Sequence, residues 1–389
     1  MLFHAQAPSR AALQGQGSSV DRAFMAMTGW GWAGVDLFFV LSGFLITGIL
    51  LDARPERGSG GVGRYLGSFY ARRTLRIFPL HYLMIFVFLV LVPLIPVAGS
   101  GAIAREVGEY ASLAPQQWWF WAYLGNFYFA LHGFAGHGIP DVLWSLAIEE
   151  QFYLAWPLIV LACPRRALAW TAAAIALAAL AFRTTLVAID VDPVATYVLT
   201  PGRLDGLALG ALVAAWSRGP AGLSWVKVPC IAAVAASLAT LLALGAAGAG
   251  ASEYSSGIQS VGLSAIAVAA ASAVAWVVAF PGSAVSHFVS VAPLRFLGKY
   301  AYALYLFHVT IQSALRATGF RAESLPRPFG SALPGLLAFG AVSIALSLGC
   351  AWLSWHLFER HCLRLKDRFP LPQRPSRDEP ISSASAPAP

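Results

Sequence analysis

The sequence predicts an all-α fold, a polytopic bundle of transmembrane helices. Of its 389 residues, 58% are hydrophobic and 11% are charged, and the mean hydropathy is +0.66. A soluble domain carries about 25% charged residues, so this deficit indicates a chain whose main solvent is lipid. Apolar stretches of about 20 residues recur along the chain, each long enough to cross a bilayer. Helices satisfy the backbone polar groups of such stretches in lipid.

Nine apolar stretches define the predicted spans. They lie at residues 29–51, 76–97, 143–163, 167–188, 201–217, 226–247, 258–280, 294–315 and 333–357. The long connection 98–142 contains the aromatic run 118–121, which indicates an interfacial or re-entrant element because indole rings favour the headgroup level. A weaker tenth span at 118–136 is the alternative. It would reverse the orientation of every later helix, and the basic connections would then no longer lie on one side of the membrane.

Basic residues predict the orientation of the spans. The connection 52–76 holds six arginines, and further basic residues lie in 164–166, 218–227, 281–299 and the tail. The nine-span map gathers these segments on one side, which the positive-inside rule makes cytoplasmic. Residues before the first predicted span then lie outside and the carboxyl tail inside. Topology thus explains the net charge of +8, and a nucleic-acid partner is not expected.

The sequence gives no sign of a metal site, a redox-active cysteine pair or a secretory signal. The four cysteines have neither metal-binding nor redox spacing, and they are Cys163, Cys230, Cys350 and Cys362. The histidines form no His-x-x-x-His pair. We therefore expect no metal centre. The first 28 residues also lack the apolar region of a secretory signal.

Ionisable side chains inside predicted spans are the candidates for chemistry, because a charge is costly in lipid. A helix rises about 1.5 Å per residue, so position in a span gives depth. Six of these residues lie near the outer ends of their spans: Asp36, Glu149, Glu150, Arg203, Asp205 and His308. If His4 ends a span, it lies at the same level. This convergence predicts one outward-facing active-site layer.

The two adjacent glutamates cannot share one direction, because neighbouring residues on a helix point about 100° apart. Either Glu149 or Glu150 is expected to face the site. The other would then face a structural arginine such as Arg203 or Arg183. The sequence leaves the choice open.

A second candidate site lies at the inner end of the span 76–97. Arg73 and Arg76 share one helical face. Two guanidinium groups so placed suit a diphosphate, because arginine binds phosphate oxygens in pairs. Arg72 is the third member of this group. The alternative is that all three only anchor the helix by the positive-inside rule.

Four polar signatures and His4 together carry a family resemblance. The signatures are GVDLFFVLSGF at 34–44, RRTLRIFP at 72–79, WSLAIEEQFY at 144–153 and LYLFH at 304–308. Together they resemble the acyltransferase-3 family, the membrane-bound O-acyltransferases of bacterial surface glycans, over about the whole chain. The resemblance implies ten spans with both termini inside. Residues 1–5 would then end a first span, with the rest of it and an arginine near its start encoded upstream of Met1.

The resemblance also implies roles for the candidate residues. His4 would be the general base that takes the hydroxyl proton, and Asp36 would orient or stabilise it, as a carboxylate does in a catalytic triad. Glu149 and His308 would complete the catalytic set. The arginines at 72, 73 and 76 would bind acyl-coenzyme A. We expect the remaining members of the outer layer to bind substrate, and they are Glu150, Arg203 and Asp205.

Each role has a simpler alternative. By position alone His4 is a terminal residue, and Asp36 could equally pair with an arginine of a neighbouring helix. His308 could be a buried, hydrogen-bonded residue of its span. Ser42 and Ser145 are interpreted as helix-packing residues, since small hydroxylic side chains line membrane helix contacts.

The predicted function is transfer of an acyl group, most simply acetyl, from cytoplasmic acyl-CoA to a hydroxyl of an exported polysaccharide or lipopolysaccharide at the bacterial inner membrane. Acyl-CoA is a co-substrate, and no bound cofactor is expected. The predicted units are 1–28, the end of a first span and an external loop; 29–358, the acyltransferase domain; and 359–389, a cytoplasmic, largely disordered tail. The alternatives are a transporter or flippase of glycan precursors, and an inactive truncated member of the family. A transporter should show repeated halves with broken spans, and neither is evident.

Overall fold

The computed structural model describes residues 3–4, 18–56, 61–97, 99, 101–134, 138–248 and 252–371. Within these ranges the chain forms helices and no strand. The α-helices are α1 (Ser19–Thr28), α2 (Gly34–Asp52), α3 (Val62–Ile85), α4 (Ala102–Leu113), α5 (Trp118–Trp121), α6 (Gly125–His132), α7 (Leu143–Ala162), α8 (Arg165–Ala188), α9 (Pro193–Val198), α10 (Thr200–Ser217), α11 (Lys227–Ala246), α12 (Leu263–Ala279), α13 (Ala284–Val289), α14 (Ala292–Ala317), α15 (Leu333–Ser354) and α16 (Arg360–Arg364). Wider π-helical turns occur at Phe86–Leu91, Ile258–Gly262 and Trp355–Glu359. Short 3₁₀ turns occur at Gly31–Ala33, Val92–Leu94, Ala114–Gln116, Pro140–Val142, Ala322–Ser324, Pro328–Gly330 and Leu365–Arg368.

All nine predicted spans are helical, which confirms the predicted all-α bundle. Seven helices of the described residues are long and apolar enough to cross a membrane. The other two predicted spans are α7 and α14, whose polar side chains lower their hydropathy. The alternative span at 118–136 is divided between the short helices α5 and α6, which are separated by a turn at residues 122–124. The protein is therefore a multi-pass helical membrane protein.

One helix boundary differs from the prediction. Helix α3 begins at Val62, fourteen residues before the apolar stretch that we expected to start at 76. Its first turns are polar, but Tyr65 and Phe69 are buried in the core, and the Tyr65 hydroxyl donates to the Leu50 carbonyl at 3.3 Å. Hydropathy does not detect such an amphipathic extension, because only one of its faces is apolar. The three arginines consequently lie within a continuous helix.

Three of the basic connections, 52–76, 164–166 and 218–227, meet at one end of the bundle, here called the basic end. Arg218 forms an ion pair with Asp52 at 2.7 Å. Arg54 donates to the Leu161 carbonyl at 3.0 Å, and Arg165 donates to the carbonyl of residue 51 at 3.2 Å. These bonds place the ends of α2, α7 and α10 beside the start of α8. The clustering agrees with the charge pattern of the sequence.

Asp21 joins two elements at the opposite end of the bundle. Its carboxylate accepts hydrogen bonds from the Ser331 hydroxyl at 2.7 Å and from the backbone N–H of Leu333 at 3.0 Å. It also accepts from the Ser18 N–H at the start of α1. Negative charge at a helix start stabilises the unpaired N–H groups there. Asp21 thereby ties α1 to the start of α15.

Helices α2 and α10 cross with their backbones in contact. A methyl group on Gly43 would lie 1.9 Å from the Leu207 carbonyl oxygen, and one on Gly210 would lie 2.0 Å from the Val40 oxygen. Small residues at such crossings let membrane helices approach closely. Gly43 of the 34–44 signature is therefore explained by helix packing.

The segment after α15 folds back onto α3. Arg72 Nη1 donates to the Lys366 carbonyl at 3.0 Å, and Ser68 Oγ donates to the Pro370 carbonyl at 3.0 Å. Residues 359–371 of the predicted tail are thus packed against the bundle. The rest of that tail, most of the predicted unit 1–28, Arg57 and His137 lie outside the described residues.

Candidate functional site

A buried ionic cluster joins four helices. Arg203 of α10 pairs with Asp36 of α2 at 3.0 Å, and Arg183 of α8 pairs with Asp205 of α10 at 3.0 Å. The Ser264 hydroxyl of α12 donates to the same Asp205 oxygen at 2.6 Å. All four charged side chains are at most 2% exposed. A buried charge needs a partner of opposite sign, and each charge of this cluster has one within the protein.

Arg203 is also enclosed by aromatic rings. Its guanidinium carbon lies 4.8 Å from the ring centroid of Tyr197, 5.6 Å from that of Phe39 and 5.8 Å from that of Trp144. Such contacts stabilise a desolvated cation. The sequence left open whether Asp36 supports His4 or pairs with an arginine of a neighbouring helix, and the structure pairs it with Arg203. The role of Asp36 beside His4, and the substrate-binding roles of Arg203 and Asp205, stay predictions.

Helix α7 presents a continuous polar face. Ser145, Glu149 and Tyr153 are spaced four residues apart and so lie on one side, over about 12 Å. The Tyr153 hydroxyl donates to Glu149 Oε1 at 3.1 Å and is also hydrogen-bonded to Ser42 of α2. The Ser145 hydroxyl lies 2.6 Å from the Tyr305 hydroxyl of α14. Glu149 therefore faces α2, among hydroxyl groups, and contributes to a polar track along α7.

The two candidate histidines meet at one end of this track. The rings of His4 and His308 have centroids 5.1 Å apart. His308 Nδ1 lies 2.7 Å from the Tyr305 carbonyl, and a carbonyl can only accept, so this nitrogen carries the proton of the neutral ring. The other nitrogen, Nε2, is then the basic one. The His4 carbonyl accepts a hydrogen bond from Arg316 at 2.9 Å, which fixes His4 against α14.

Glu150 points away from Glu149, as the helix requires. Its charge is within electrostatic range of Arg73 of α3 and of the Tyr123 and Tyr302 hydroxyls. The Arg73 guanidinium carbon lies 5.9 Å from the Tyr153 ring centroid. The structure pairs neither glutamate with Arg183 or Arg203. Both glutamates are instead close enough to Arg73 to interact with it electrostatically.

The arginines of α3 belong to a larger group of cations. The Arg76 guanidinium carbon lies 6.0 Å from the Trp355 ring centroid. Lys366, in the segment that folds back on α3, interacts electrostatically with Arg72, Arg73 and Arg76. We call these four residues the cation cluster. The sequence argument missed Lys366, because its position in the tail gave no sign that the chain returns to α3.

The predicted layer of titratable groups divides into three parts. Asp36, Arg203 and Asp205 form the ionic cluster, Glu149 and Glu150 lie on α7, and His4 meets His308. Tyr153 and Tyr305 connect the last two parts. Both tyrosines lie in the signatures 144–153 and 304–308, so their polar atoms were visible in the sequence, but their partners were not.

No group of three or more histidine, cysteine, aspartate or glutamate side chains suited to a metal ion occurs among the described residues. The chemistry open to this arrangement is proton transfer at the histidine pair and anion binding at the cation cluster. A polar track along α7 joins the two.

Comparison with known proteins also indicates an acyltransferase. Residues 1–355 match the family described as acyltransferase domain, acyltransferase-3. The chain is 31% identical over 296 residues to the peptidoglycan O-acetyltransferase OatA of Listeria monocytogenes, covering 72% of this chain and 45% of that protein. No solved structure matches.

Two further relatives are similar. A Bacillus subtilis protein, YrhL, provisionally named a peptidoglycan O-acetyltransferase, is 32% identical over 300 residues, covering 72% of this chain and 44% of that protein. A provisionally named O-acetyltransferase of Staphylococcus aureus is 29% identical over 295 residues, covering 73% of this chain and 46% of that protein. The chain spans less than half the length of each of these relatives.

Proposed function

Because the chain belongs to the acyltransferase-3 family, we propose that it is a membrane O-acyltransferase that moves an acetyl group from acetyl-CoA to a hydroxyl of a cell-envelope glycan. The observation that carries this proposal is the arrangement around α7. A pair of histidines lies at one end of its polar face, and the cation cluster of α3 lies toward the other end. The polar face of α7 would thereby connect the binding site of an anionic donor with a base that accepts the proton.

The histidine pair supplies the proton transfer. The hydroxyl oxygen of the acceptor attacks the thioester carbonyl carbon while a histidine nitrogen takes the hydroxyl proton. The carbon–sulfur bond then breaks, and the thiolate recovers that proton to leave as free coenzyme A. His4 and His308 are the candidates for the base, and the backbone bond of His308 leaves its Nε2 as acceptor. Water exclusion between packed helices favours acyl transfer over hydrolysis.

The cation cluster supplies donor binding. Positive charge is concentrated where the folded-back segment meets α3, at Arg72, Arg73, Arg76 and Lys366. Such a cluster suits the phosphates of coenzyme A. The thioester must then reach the histidine pair. The polar face of α7 offers the donor arm a route with hydrogen-bonding groups at every turn.

We propose a glycan acceptor because two of the relatives are named for peptidoglycan. The basic end would face the cytoplasm, where acetyl-CoA is made, under the positive-inside rule. The histidine end would then face the outer side of the bacterial inner membrane, where the glycan lies.

The test uses membrane vesicles that contain the protein, acetyl-labelled acetyl-CoA and a purified cell-wall glycan. We expect alkali-labile label in the glycan, and we expect Arg73→Ala with Arg76→Ala to raise the KM for acetyl-CoA at least about tenfold, because two charged contacts are lost. The matched control is Arg64→Ala, an exposed arginine of the same helix, which should leave the KM unchanged. Absence of labelled glycan above that of protein-free vesicles would refute the proposal.

A further inference from the structure

The turn between α5 and α6 holds Tyr123 in an unusual backbone conformation. Its φ is 54°, in the left-handed region that residues other than glycine rarely adopt. The side chain is 7% exposed. Strained backbone at a buried residue persists when the surrounding structure enforces it, and such residues concentrate at functional sites.

Three contacts enforce the position of Tyr123. Its ring stacks on the ring of His81 of α3, with centroids 4.1 Å apart and planes at 13°. The Phe78 ring lies 5.1 Å away on the same helix. The backbone carbonyl of Tyr123 accepts a hydrogen bond from Gln151 Nε2 of α7 at 2.9 Å. The tyrosine is thus fixed between α3 and α7.

Three buried polar atoms around this position have no hydrogen-bond partner within the described residues. They are the Tyr123 hydroxyl, His81 Nδ1 and Glu150 Oε1. His81 Nε2 lies 3.2 Å from the Phe120 carbonyl and must be its donor. In the neutral ring Nδ1 is then an acceptor. The His81 and Tyr123 rings are stacked, and Glu150 is within electrostatic range of Tyr123. Buried polar groups are normally paired, so these neighbouring orphans call for a ligand.

The chemistry of the three atoms limits what that ligand is. His81 Nδ1 and the Glu150 carboxylate can accept an N–H, and the Tyr123 hydroxyl can donate to a carbonyl. A secondary amide offers one carbonyl oxygen for the Tyr123 hydroxyl and one N–H that can bond to either of the two acceptors.

We propose that His81, Tyr123 and Glu150 form a slot that binds an amide group in the arm of the acyl donor. The inference rests on the proposed use of coenzyme A, whose arm carries secondary amides. His81 lies eight residues beyond Arg73 on α3, about 12 Å further along the axis and rotated by about 80° around it, on the side toward which Tyr123 packs. A donor whose phosphates bind at Arg73 would therefore pass the slot. Tyr123 acts here as a binding and positioning residue and does not touch the transferred acyl group.

Tyr123→Phe tests the slot, because it removes the hydroxyl and keeps the stacked ring. We expect the Kd of free coenzyme A and the KM for acetyl-CoA to rise about threefold to tenfold, the effect of one lost hydrogen bond, with kcat within about twofold of the wild type. The control is Tyr128→Phe, a half-buried tyrosine of α6 that stacks on His132, which should change neither constant. The thermal unfolding midpoint in detergent checks that both variants are folded.

Glu150→Gln is the second variant, and it should raise the same two constants by a smaller factor, because it replaces a charged acceptor by a neutral amide oxygen. Unchanged constants in folded Tyr123→Phe and Glu150→Gln would overturn the slot while leaving the proposed function intact. If the wild type itself neither binds coenzyme A nor transfers acetyl, the proposed function fails first. Tyr123→Phe that binds coenzyme A normally but loses kcat would also contradict the inference, since the slot acts on binding.

Discussion

Arg203 and Asp36 form an ion pair at 3.0 Å in the interior of the bundle, with side-chain exposures of 0% and 1%. The pair joins α2 to α10, the same two helices that cross at Gly43 and Gly210. Two devices therefore hold one helix pair: a contact between backbones and a buried pair of charges. Asp36 belongs to the 34–44 signature, and this pairing gives it a structural function that needs no substrate.

Asp36→Ala should destabilise the protein by about 3–5 kcal/mol, because it leaves the Arg203 charge buried without its partner. Thermal unfolding in detergent measures the loss. Asp36→Ala combined with Arg203→Ala should cost less than the sum of the single changes, since the second change removes the unpaired charge. Additive losses would mean that the two residues act independently.

The control for this pair is Asp52→Ala at the basic end. Asp52 pairs with Arg218 at 2.7 Å, but its side chain is 61% exposed. Exposed ion pairs contribute about 0–1 kcal/mol, so the unfolding midpoint should hardly move.

Gly43→Val should separate α2 from α10. Its Cβ would lie 1.9 Å from the Leu207 oxygen, a distance that no side-chain rearrangement relieves, and we expect a loss of about 3 kcal/mol or more. Gly67→Ala provides the contrast. An added methyl at Gly67 meets nothing within 4 Å, and alanine favours a helix over glycine by about 0.5–1 kcal/mol, so that variant should be slightly more stable. Equal losses of stability in Gly43→Val and Gly67→Ala would exclude the crossing of α2 and α10 as the cause.

Sequence reasoning located the helices better than the contacts between them. Hydropathy found nine stretches that are all helical in the structure, because lipid imposes a length and a composition on each span. It missed the polar start of α3 and the return of residues 359–371 to that helix, because both depend on tertiary packing. Depth along a helix put Glu149 and His308 at similar levels, and in the structure Tyr153, Ser145 and Tyr305 lie between them. Depth carries no information on rotation about the axis, so it could not separate Asp36 and Arg203 into a cluster of their own.

Activity should depend unequally on the two histidines if one of them is the base. His308→Ala removes an imidazole whose Nδ1 is fixed by the Tyr305 carbonyl at 2.7 Å, and His4→Ala removes its neighbour. Loss of a general base costs about 10²–10⁴-fold in kcat, so one variant should fall in that range while the other loses less. His287→Ala, on the short helix α13, serves as control. Full acetyl transfer by both His308→Ala and His4→Ala would exclude the histidine pair from catalysis.

Lys366 should contribute to donor binding although it lies after the last predicted span. It is the member of the cation cluster that comes from the segment folded on α3, and the Arg72 bond to its carbonyl at 3.0 Å holds it there. Lys366→Ala should raise the KM for acetyl-CoA about threefold to tenfold, as one charged contact is lost. Lys366→Arg, which keeps the charge, should restore most of the affinity, and Arg368→Ala, an exposed neighbour, should have no effect. The rise should also shrink as salt is added, because ions screen the attraction between lysine and phosphate. A rise in the KM of Lys366→Ala that added salt does not reduce would assign Lys366 to the packing of the folded-back segment instead.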